Sequence, residues 1–378
     1  MDKIVARLIV ICHMPPPVHG ASIVGGIVAH SELLRARFDC TIIPIQMNNG
    51  LDSVRLFSFS KVTASLRLYG RLIGALLTKR PDAVYITVAL NGFAAIRDAG
   101  IVLLCRMSGV QRILHVHMRG LRPRYESSAR YRLLYRLIFG GAQVIHSSQR
   151  LYADVAPVVP PEKFHVLAYG APDPSRLSSA TAKIASEAPE ATAFVPDILF
   201  MSNLYIDKGP LDLLEVSRRL HTQGIAHRVI FVGGKADAAV DEALARAIAE
   251  DGSGRIDLRG AIYGAQKDAL LHSVQIFAFP SYYHFECQPL SVIEAMSHGL
   301  AIVASDIAGI PDLIRDGEDG FLIPARDPDA LVSGLRKLLL DRGLRERLGR
   351  SARERYETLF TLQAFEQRLV ETIEKIVL

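Results

Sequence analysis

The stretch "FMSNLYIDKGPLDLLE" (residues 200–215) indicates a strand, a loop and then a helix. Lys208, Gly209 and Pro210 mark the start of that helix. A lysine beside a helix N-terminus adds a full positive charge to the helix dipole, and this combination suits a diphosphate. The alternative is an ordinary lysine in contact with water. Strand–loop–helix units of this kind decide the fold class if they recur along the chain.

They do recur, because apolar runs and amphipathic stretches alternate from end to end. The apolar runs predict strands at 4–12, 40–45, 83–88, 112–117, 143–146, 164–168, 197–201, 228–233, 255–258, 275–279, 301–304 and 320–323. The amphipathic stretches predict helices at 21–36, 58–79, 93–107, 128–139, 148–155, 210–223, 236–250, 265–272, 289–298, 327–340 and 343–357. Repeated strand–helix units imply parallel sheets with helices on both faces. We therefore expect an α/β protein with two Rossmann-like, doubly wound domains facing a cleft.

The domain boundaries follow from composition. Residues 171–196 are rich in proline, alanine and serine with little periodicity, which indicates a linker region between domains at 1–170 and 197–357. Residues 358–378 form a closing C-terminal helix. Its apolar side chains recur at helical spacing and predict one buried face: Leu362, Phe365, Leu369, Ile373 and Ile376.

Bulk composition indicates a globular protein of the cytoplasm. Of the 378 residues, 49% are hydrophobic and 22% are charged, which is ordinary for a soluble domain. The N-terminal apolar run lacks a signal-peptide cleavage region, and no stretch reaches the ~18 apolar residues that span a bilayer. The four cysteines lie far apart without a CxxC pair, which favours free thiols over disulfides or a zinc site.

Charge divides the chain into two unlike halves. Residues 1–170 contain 21 Lys and Arg against 9 Asp and Glu, a net charge of +12, whereas the remaining residues carry a net −7. A basic half suggests an anionic surface or ligand as its partner. Two stretches within it are both basic and apolar, at 54–80 and 118–141. Such helices suit anionic lipid, so we expect peripheral docking on the inner face of a membrane. The alternative is that they pack their apolar face on the sheet, and no motif for nucleic acid accompanies the charge.

Two glutamates flank a second helix start in "HFECQPLSVIEAM" (284–296). Pro289 is predicted as the first helical residue, which places Glu286 in the loop and Glu294 inside the helix. A helix N-terminus attracts an anion such as a phosphate, and a carboxylate on each side can bind hydroxyls. A nucleotide sugar offers those parts in that order. The alternative is that both glutamates are ordinary surface residues.

Other loops give weaker signals. "ICHMPPPVHGAS" (11–22) is a stiff loop after the first strand, with Ser22 as a candidate helix N-cap. It lacks the G-x-G-x-x-G fingerprint and the Walker A lysine, which disfavours a nicotinamide enzyme or a phosphate-loop ATPase. "FVGGK" (231–235) is a strand that ends in glycines, consistent with close approach of the backbone to a ligand.

Two patterns could be mistaken for metal sites. "ILHVHMRG" (113–120) places His115 and His117 on one strand face, but no acidic or cysteine cluster accompanies them. His117 lies nearer the strand end, where a ligand would bind, and His115 is better explained as a core histidine. Asp327 and Asp329 in "RDPDA" (326–330) open a helix, so we interpret them as capping residues. No metal is expected.

Three segments together resemble the donor half of glycosyltransferase family 4. They occur in family order and spacing: "SNLYIDKGPLDLL" (202–214), "HFECQPLSVIEAM" (284–296) and "AIVASDIAGIPDLIRDGEDGFLI" (301–323). The resemblance is specific over 197–325 and loose over 1–170. It implies the GT-B fold, with acceptor binding in 1–170 and donor binding in 197–357. It also implies transfer of a sugar from a nucleotide sugar, uridine rather than guanosine diphosphate, with retention of anomeric configuration.

The family motifs imply roles for individual residues. His117, Glu286 and Lys208 match positions beside the reacting sugar and the diphosphate, and they are the expected catalytic residues. The expected donor-binding residues are Gly20, Asn203, Lys208, Gly233, Glu286, Leu290, Ser291 and Glu294. In the family, Glu286 would hold hydroxyls of the transferred sugar, Glu294 the ribose and Lys208 the diphosphate.

The sequence departs from the family pattern at three places. Asn203 replaces the usual arginine five positions before Lys208, and His19 replaces the first glycine of the N-terminal loop. "GLAIV" stands where the family often has G-x-P-V. The resemblance implies no cofactor and an acceptor that is a lipid-linked or growing surface polysaccharide. A nucleotide-sugar epimerase, a hydrolase and a non-catalytic sugar-nucleotide sensor are the alternatives.

Overall fold

A computed structural model describes residues 6–45, 59–174 and 195–378. The chain divides into two compact units. Unit 1 comprises Met1–Tyr169 and Gln363–Leu378, and unit 2 comprises Gly170–Leu362. The C-terminal helix thus belongs to the unit that begins the chain. Residues 175–194, most of the predicted linker region, lie outside the described residues.

Unit 1 is built on a six-stranded parallel sheet with strand order β2-β1-β3-β4-β5-β6. Its strands are β1 Ala6–His13, β2 Phe38–Ile45, β3 Ala83–Val88, β4 Gln111–Val116, β5 Gln143–His146 and β6 Phe164–Val166. Its helices are α1 Gly20–His30, α2 Glu32–Arg37, α3 Phe59–Lys79, α4 Gly92–Met107, α5 Leu121–Ser127, α6 Ala129–Phe139, α7 Tyr152–Val155 and, from the end of the chain, α15 Leu362–Val377.

Unit 2 repeats the construction with strand order β12-β11-β10-β7-β8-β9. Its strands are β7 Asp197–Met201, β8 Arg228–Val232, β9 Ile256–Leu258, β10 Ile276–Phe279, β11 Ala301–Ser305 and β12 Gly320–Ile323. Its helices are α8 Pro210–Thr222, α9 Ala238–Asp251, α10 Gly264–Ser273, α11 Leu290–Ser297, α12 Ile310–Leu313, α13 Pro328–Leu340 and α14 Arg342–Leu359. Both units are doubly wound α/β folds, as predicted.

Burial explains why the strands are apolar throughout. Strands β3, β7, β10 and β11 are buried along their full length, because helices cover both faces of a doubly wound sheet. Each sheet also has a switch point where consecutive connections leave in opposite directions, and ligands bind there at the carboxyl ends of the strands. The switch point lies between β1 and β3 in unit 1 and between β7 and β10 in unit 2.

Three local predictions were wrong or incomplete. The helix predicted at 21–36 is two helices, because the Ser31 side chain accepts a hydrogen bond from the Leu34 N–H and starts a new helix. Ser22 is not the N-cap of α1; His19 is, and the two residues form a reciprocal capping box. Helix α5 was not predicted as a separate element.

Two other helix starts bear on predicted site residues. Pro289 is the N-cap of α11 rather than its first residue, so the helix begins at Leu290. The Asp327 side chain accepts a hydrogen bond from the Ala330 N–H at 2.9 Å, which confirms its interpretation as a cap. Asp329 pairs instead with Arg219 on the surface.

Candidate functional site

Two loops meet at the switch point of unit 2. One follows β7 and carries Lys208, and the other follows β10 and carries Glu286. The Tyr282 N–H donates to the Asp207 carbonyl at 2.8 Å and ties the loops together. Gly209 has φ +82°, and a Cβ there would lie 2.3 Å from the Pro280 carbonyl oxygen. Only glycine therefore allows the two loops to approach this closely.

Lys208 and Glu286 form a nearly buried ion pair between these loops. Lys208 Nζ lies 2.8 Å from Glu286 Oε2, and the two side chains are 13% and 7% exposed. The Ser281 hydroxyl donates to the same oxygen at 3.0 Å. Both of these bonds involve Oε2, so they fix the carboxylate through one oxygen, and Oε1 takes part in neither of them.

Aromatic rings surround the lysine. Lys208 Nζ lies 4.3 Å from the centroid of the Tyr283 ring and 5.6 Å from that of Phe279. Tyr205 stacks on Tyr283, with centroids 6.0 Å apart and planes at 11°. The face of an aromatic ring attracts a cation, so the rings stabilise the ammonium group and restrict its movement.

The second glutamate lies one and a half turns inside α11. Glu294 Oε1 accepts from Lys267 Nζ of α10 at 2.6 Å. Leu290 and Ser291 form the first turn of α11 and are half-buried. The first N–H groups of a helix have no partner within the helix and attract anions. The N-terminus of α11 thus lies between the two glutamates in the chain, as the sequence predicts.

Gly233 and Asn203 lie where the loops after β7 and β8 run side by side. A Cβ on Gly233 would lie 1.8 Å from the Ser202 carbonyl oxygen, so this glycine is required by the neighbouring backbone. The side-chain oxygen of Asn203 lies 3.3 Å from the position of a Cβ on Gly234. Packing against the neighbouring backbone therefore explains why residue 233 is a glycine, and a role of Gly233 in ligand binding stays a prediction.

Unit 1 carries several histidines at the carboxyl edge of its sheet. The His13 ring donates to the Thr87 hydroxyl, and its other nitrogen accepts from Arg97. Burial lowers the pKa of His13 well below its usual range. Burial likewise lowers the pKa of His117 and of His146 to about 3. These rings are neutral at physiological pH.

His117 lies in a cluster of tilted rings just beyond β4. Its Nδ1 lies 2.7 Å from the Tyr169 hydroxyl, and its ring centroid lies 4.1 Å from that of His115. His115 is fully buried and its Nδ1 pairs with the Tyr85 hydroxyl. The Nε2 atoms of both histidines are buried without a hydrogen-bond partner among the described residues. Only one of the two ring nitrogens of His115 therefore has a hydrogen-bond partner among the described residues.

Gly20 is the first residue of α1 and is exposed. A Cβ there would meet nothing within 4 Å, so protein packing does not require glycine at this position, and a role in donor binding stays a prediction. Within the described part of the chain, no group of three His, Cys, Asp or Glu side chains is arranged to hold a metal ion.

The geometry adds residues that sequence reasoning missed. Ser281 fixes Glu286, Lys267 pairs with Glu294, Tyr283 lies under Lys208, and Tyr169 bonds His117. Serine, lysine and tyrosine at these positions carry no spacing signal of their own. Their contacts arise only when the strands are aligned in the sheet.

One segment of the chain matches a known protein family. Residues 187–355 match the family model described as glycosyl transferases group 1. This segment, a little under half of the chain, is similar to the group 1 glycosyltransferases. The Lys208 and Glu286 loops and the whole of α11 lie inside this glycosyltransferase segment.

Relatives and solved structures extend the comparison. Over 184 residues the chain is 29% identical to the amylovoran biosynthesis glycosyltransferase AmsK of Erwinia amylovora, covering 47% of this chain and 44% of AmsK. The chain spans about half or less of the length of the curated relatives it matches.

Two solved structures superimpose over nearly the whole chain. The sucrose-phosphate synthase of Thermosynechococcus elongatus has a TM-score of 0.75 at 17% identity, covering 98% of this chain and 99% of that one. HepE of Anabaena, solved in complex with UDP, has a TM-score of 0.71 at 16% identity, covering 98% and 100%. The chain therefore has the GT-B fold.

Proposed function

We propose that the chain is a retaining glycosyltransferase that moves a sugar from a nucleotide sugar to a lipid-linked or growing surface glycan. The observation that carries the proposal is the nearly buried pair of Lys208 and Glu286 at the switch point of unit 2. A buried lysine at a helix start suits a diphosphate, and a carboxylate fixed through one oxygen has the other available for sugar hydroxyls.

The residues of unit 2 suit the parts of a nucleotide sugar. Lys208 and the N–H groups of Leu290 and Ser291 would bind the diphosphate, whose charge grows as the sugar leaves. The Glu286 carboxylate would accept hydrogen bonds from hydroxyls of the transferred sugar, and the Glu294 carboxylate would accept them from hydroxyls of the ribose. His117 of unit 1 would bind the sugar through its Nε2.

This arrangement favours transfer without a divalent metal. A lysine and a helix N-terminus supply positive charge where a metal would otherwise act, so we expect full activity in EDTA. Loss of activity in EDTA, restored by magnesium or manganese, would contradict this.

Our inference about the classes of donor and acceptor rests on what two similar proteins are named for or were solved with. HepE was solved with UDP, which supports a uridine nucleotide as donor. AmsK is named for amylovoran biosynthesis, which supports a polysaccharide as product. The reaction would then occur in the cytoplasm, where nucleotide sugars are made.

Transfer of radiolabelled sugar from a panel of nucleotide sugars to lipid-linked acceptors tests the activity. Labelled glycan product supports a transferase, free labelled sugar indicates a hydrolase, and conversion of the nucleotide sugar itself indicates an epimerase. Binding without any turnover indicates a sensor. The anomeric configuration of the product, read by NMR, tests retention.

We further propose that unit 1 docks on an anionic membrane through helices α3 and α4. Leu66, Tyr69, Ile73 and Leu77 lie on one face of α3, because they are spaced by three and four residues. The three aliphatic residues are exposed, Leu77 to 72%. The described part of α3 therefore presents an apolar stripe to solvent.

Helix α4 carries a matching stripe. Ile96, Gly100, Leu103 and Met107 share one face, and its three large side chains are exposed. A Cβ on Gly100 would lie 2.4 Å from the Tyr69 hydroxyl, so the two stripes meet at this contact. Together they form one apolar surface, which we call the α3–α4 surface. Exposed arginines on the same helices supply the positive charge that anionic lipid attracts: Arg67, Arg71 and Arg106.

The structure shifts the membrane prediction away from the stretch 118–141. Tyr135, Ile138 and Phe139 of that stretch are buried in the core of unit 1, and Leu133 is its exposed aliphatic residue. Residues 54–58 of the other predicted stretch lie outside the described residues. The structure contains no helix, among those described, that has the length and hydropathy to cross a bilayer.

Sedimentation with vesicles tests the α3–α4 surface. We expect pelleting with anionic vesicles at low salt, weaker pelleting at high salt, and little with neutral vesicles. Changing Ile73, Leu77 and Met107 together to serine should abolish pelleting, whereas the matched control Leu133→Ser should not. Equal, negligible pelleting of the wild type with both lipids would contradict docking, and an equal loss in the control would contradict the assigned surface.

A further inference from the structure

We propose that Tyr169 is a positioning residue for His117, and that its hydroxyl fixes the imidazole tautomer with the proton on Nε2. The inference rests on the proposed function only in its consequence for sugar transfer. The tautomer itself is a property of unit 1 and can be measured without any substrate.

Contacts with neighbouring rings hold His117 and Tyr169 in place. Tyr169 is 4% exposed, and its hydroxyl lies 2.7 Å from His117 Nδ1. The His117 ring centroid lies 4.1 Å from that of His115 and 5.7 Å from that of Tyr169, and the centroids of His115 and Tyr169 are 6.0 Å apart. Phe365 of α15 packs edge-on against Tyr169 at 6.5 Å. Rotation of the imidazole would therefore disturb its contacts with the His115 and Tyr169 rings.

The direction of the hydrogen bond follows from acidity. A phenol O–H is a stronger acid than a neutral imidazole N–H, and an imidazole nitrogen accepts better than a phenol oxygen. The favoured arrangement thus has Tyr169 donating to His117 Nδ1. Burial lowers the pKa of His117 to about 3, so the ring has a single proton, which must then lie on Nε2.

The tautomer decides what His117 offers a ligand. Its Nε2 is buried and has no hydrogen-bond partner in the described ranges 6–45, 59–174 and 195–378. A buried N–H without a partner is unfavourable, so this atom is the position at which an oxygen acceptor gains most. A sugar hydroxyl that accepts from Nε2 still has its own proton to donate elsewhere. In the opposite tautomer Nε2 has no proton, so it would have to accept the hydrogen bond from the sugar hydroxyl.

The variant Tyr169→Phe tests the proposal, because it removes the hydroxyl and keeps the ring. With 15N-labelled histidine, NMR distinguishes a protonated ring nitrogen from an unprotonated one. We expect His117 to be protonated at Nε2 in the wild type, and to shift towards protonation at Nδ1 in the variant. For transfer we expect about a tenfold loss of kcat with a smaller change in KM.

The matched control is Tyr135→Phe. Tyr135 is a buried tyrosine of the same unit whose hydroxyl donates to the Leu90 carbonyl. The variant Tyr135→Phe should leave the His117 tautomer and kcat unchanged, which separates positioning of His117 from a general loss of stability. A wild-type proton on Nδ1, an unchanged tautomer in Tyr169→Phe, or a changed tautomer with wild-type kcat would each overturn the proposal. Absence of transfer in every protein, with the expected tautomer shift, would instead overturn the proposed function.

Discussion

The two units share one construction but place different chemistry at their switch points. Unit 2 brings a lysine, carboxylates and a helix N-terminus together between β7 and β10. Unit 1 brings neutral histidines to the carboxyl edge of its sheet, at the ends of β1, β4 and β5. The same fold thus presents a lysine–carboxylate pair in one unit and mainly neutral imidazole rings in the other.

The difference matches the chemistry of a nucleotide sugar. A diphosphate needs positive charge that does not have to be created at the moment of reaction. Sugar hydroxyls need donors and acceptors but no net charge, and a buried neutral imidazole supplies either. The comparison therefore predicts that variants in unit 2 alter diphosphate binding and turnover, whereas variants in unit 1 alter pH dependence and sugar recognition.

The largest effect is expected for Lys208→Ala. Loss of a positive group aimed at growing negative charge should lower kcat by about 10²–10³-fold. The melting temperature should also fall, because Glu286 loses its nearly buried counter-ion. Steady-state kinetics on protein shown to be folded at the assay temperature gives the comparison.

Lys337→Ala is the matched control for that variant. Lys337 also lies over an aromatic ring, with Nζ 5.2 Å from the centroid of Phe321. It belongs to α13 and is exposed to solvent, so kcat should stay within twofold of wild type. Wild-type turnover by folded Lys208→Ala protein would sink the assignment of Lys208.

Glu294→Ala should act mainly on binding. Loss of hydrogen bonds between a carboxylate and the ribose should raise KM for the nucleotide sugar by about 10–100-fold. The fold should be intact, because the Lys267 side chain released by the change is 24% exposed and can reach water. A KM for the nucleotide sugar equal to that of the wild type would refute the ribose role.

Acid should destabilise unit 1 through its buried histidines. Burial lowers the pKa of His146 from its unfolded value of about 6.5 to about 3. Between these pH values the unfolded chain binds a proton that the folded chain does not, so stability falls as pH falls. The expected loss for His146 is about 2 kcal/mol between pH 6.5 and pH 5.

The variant His146→Gln should remove that share of the pH dependence. Hydrogen exchange of the strand amides of unit 1, measured at pH 6.5 and 5 after correction for intrinsic rates, reports the change. The strand amides of unit 2, measured under the same conditions, serve as the internal control. An equal pH dependence in variant and wild type would show that His146 does not titrate in this way.

The smallest effect is expected for Tyr283, the residue whose ring Lys208 lies over. Tyr283→Leu removes the ring that Lys208 lies over and should lower kcat about 3–10-fold. Tyr283→Phe retains the ring and should remain close to wild type. If both variants behave alike, the ring contact does not position the lysine.

The sequence located the candidate site loops of unit 2 more clearly than the polar residues of unit 1, for a physical reason. Lys208, Glu286 and Glu294 lie beside helix starts, where proline and glycine punctuate the chain. Local signals therefore located both loops and the parallel sheet that joins them. The Lys267 and Ser281 contacts were not predictable, because they depend on how α10 and the loop after β10 pack.

Unit 1 gave weaker signals because its polar residues are scattered. His13, His146 and Tyr169 lie in or after apolar strands and look like core residues in isolation. Strand pairing brings them near His117, and only the register of β4 with β5 places Val116 opposite His146. The basic stretch 118–141 misled for a related reason, since its periodicity did not reveal which face packs on the sheet.

The most direct test of the central claim is the affinity of the protein for nucleoside diphosphates and monophosphates. Isothermal titration would compare UDP with UMP, and GDP with GMP, in the wild type and in Lys208→Ala. If Lys208 binds the diphosphate, the wild type prefers the diphosphate of its base, and the variant loses most of that preference while still binding the monophosphate. An unchanged ratio of diphosphate to monophosphate affinity in folded Lys208→Ala protein would contradict the account.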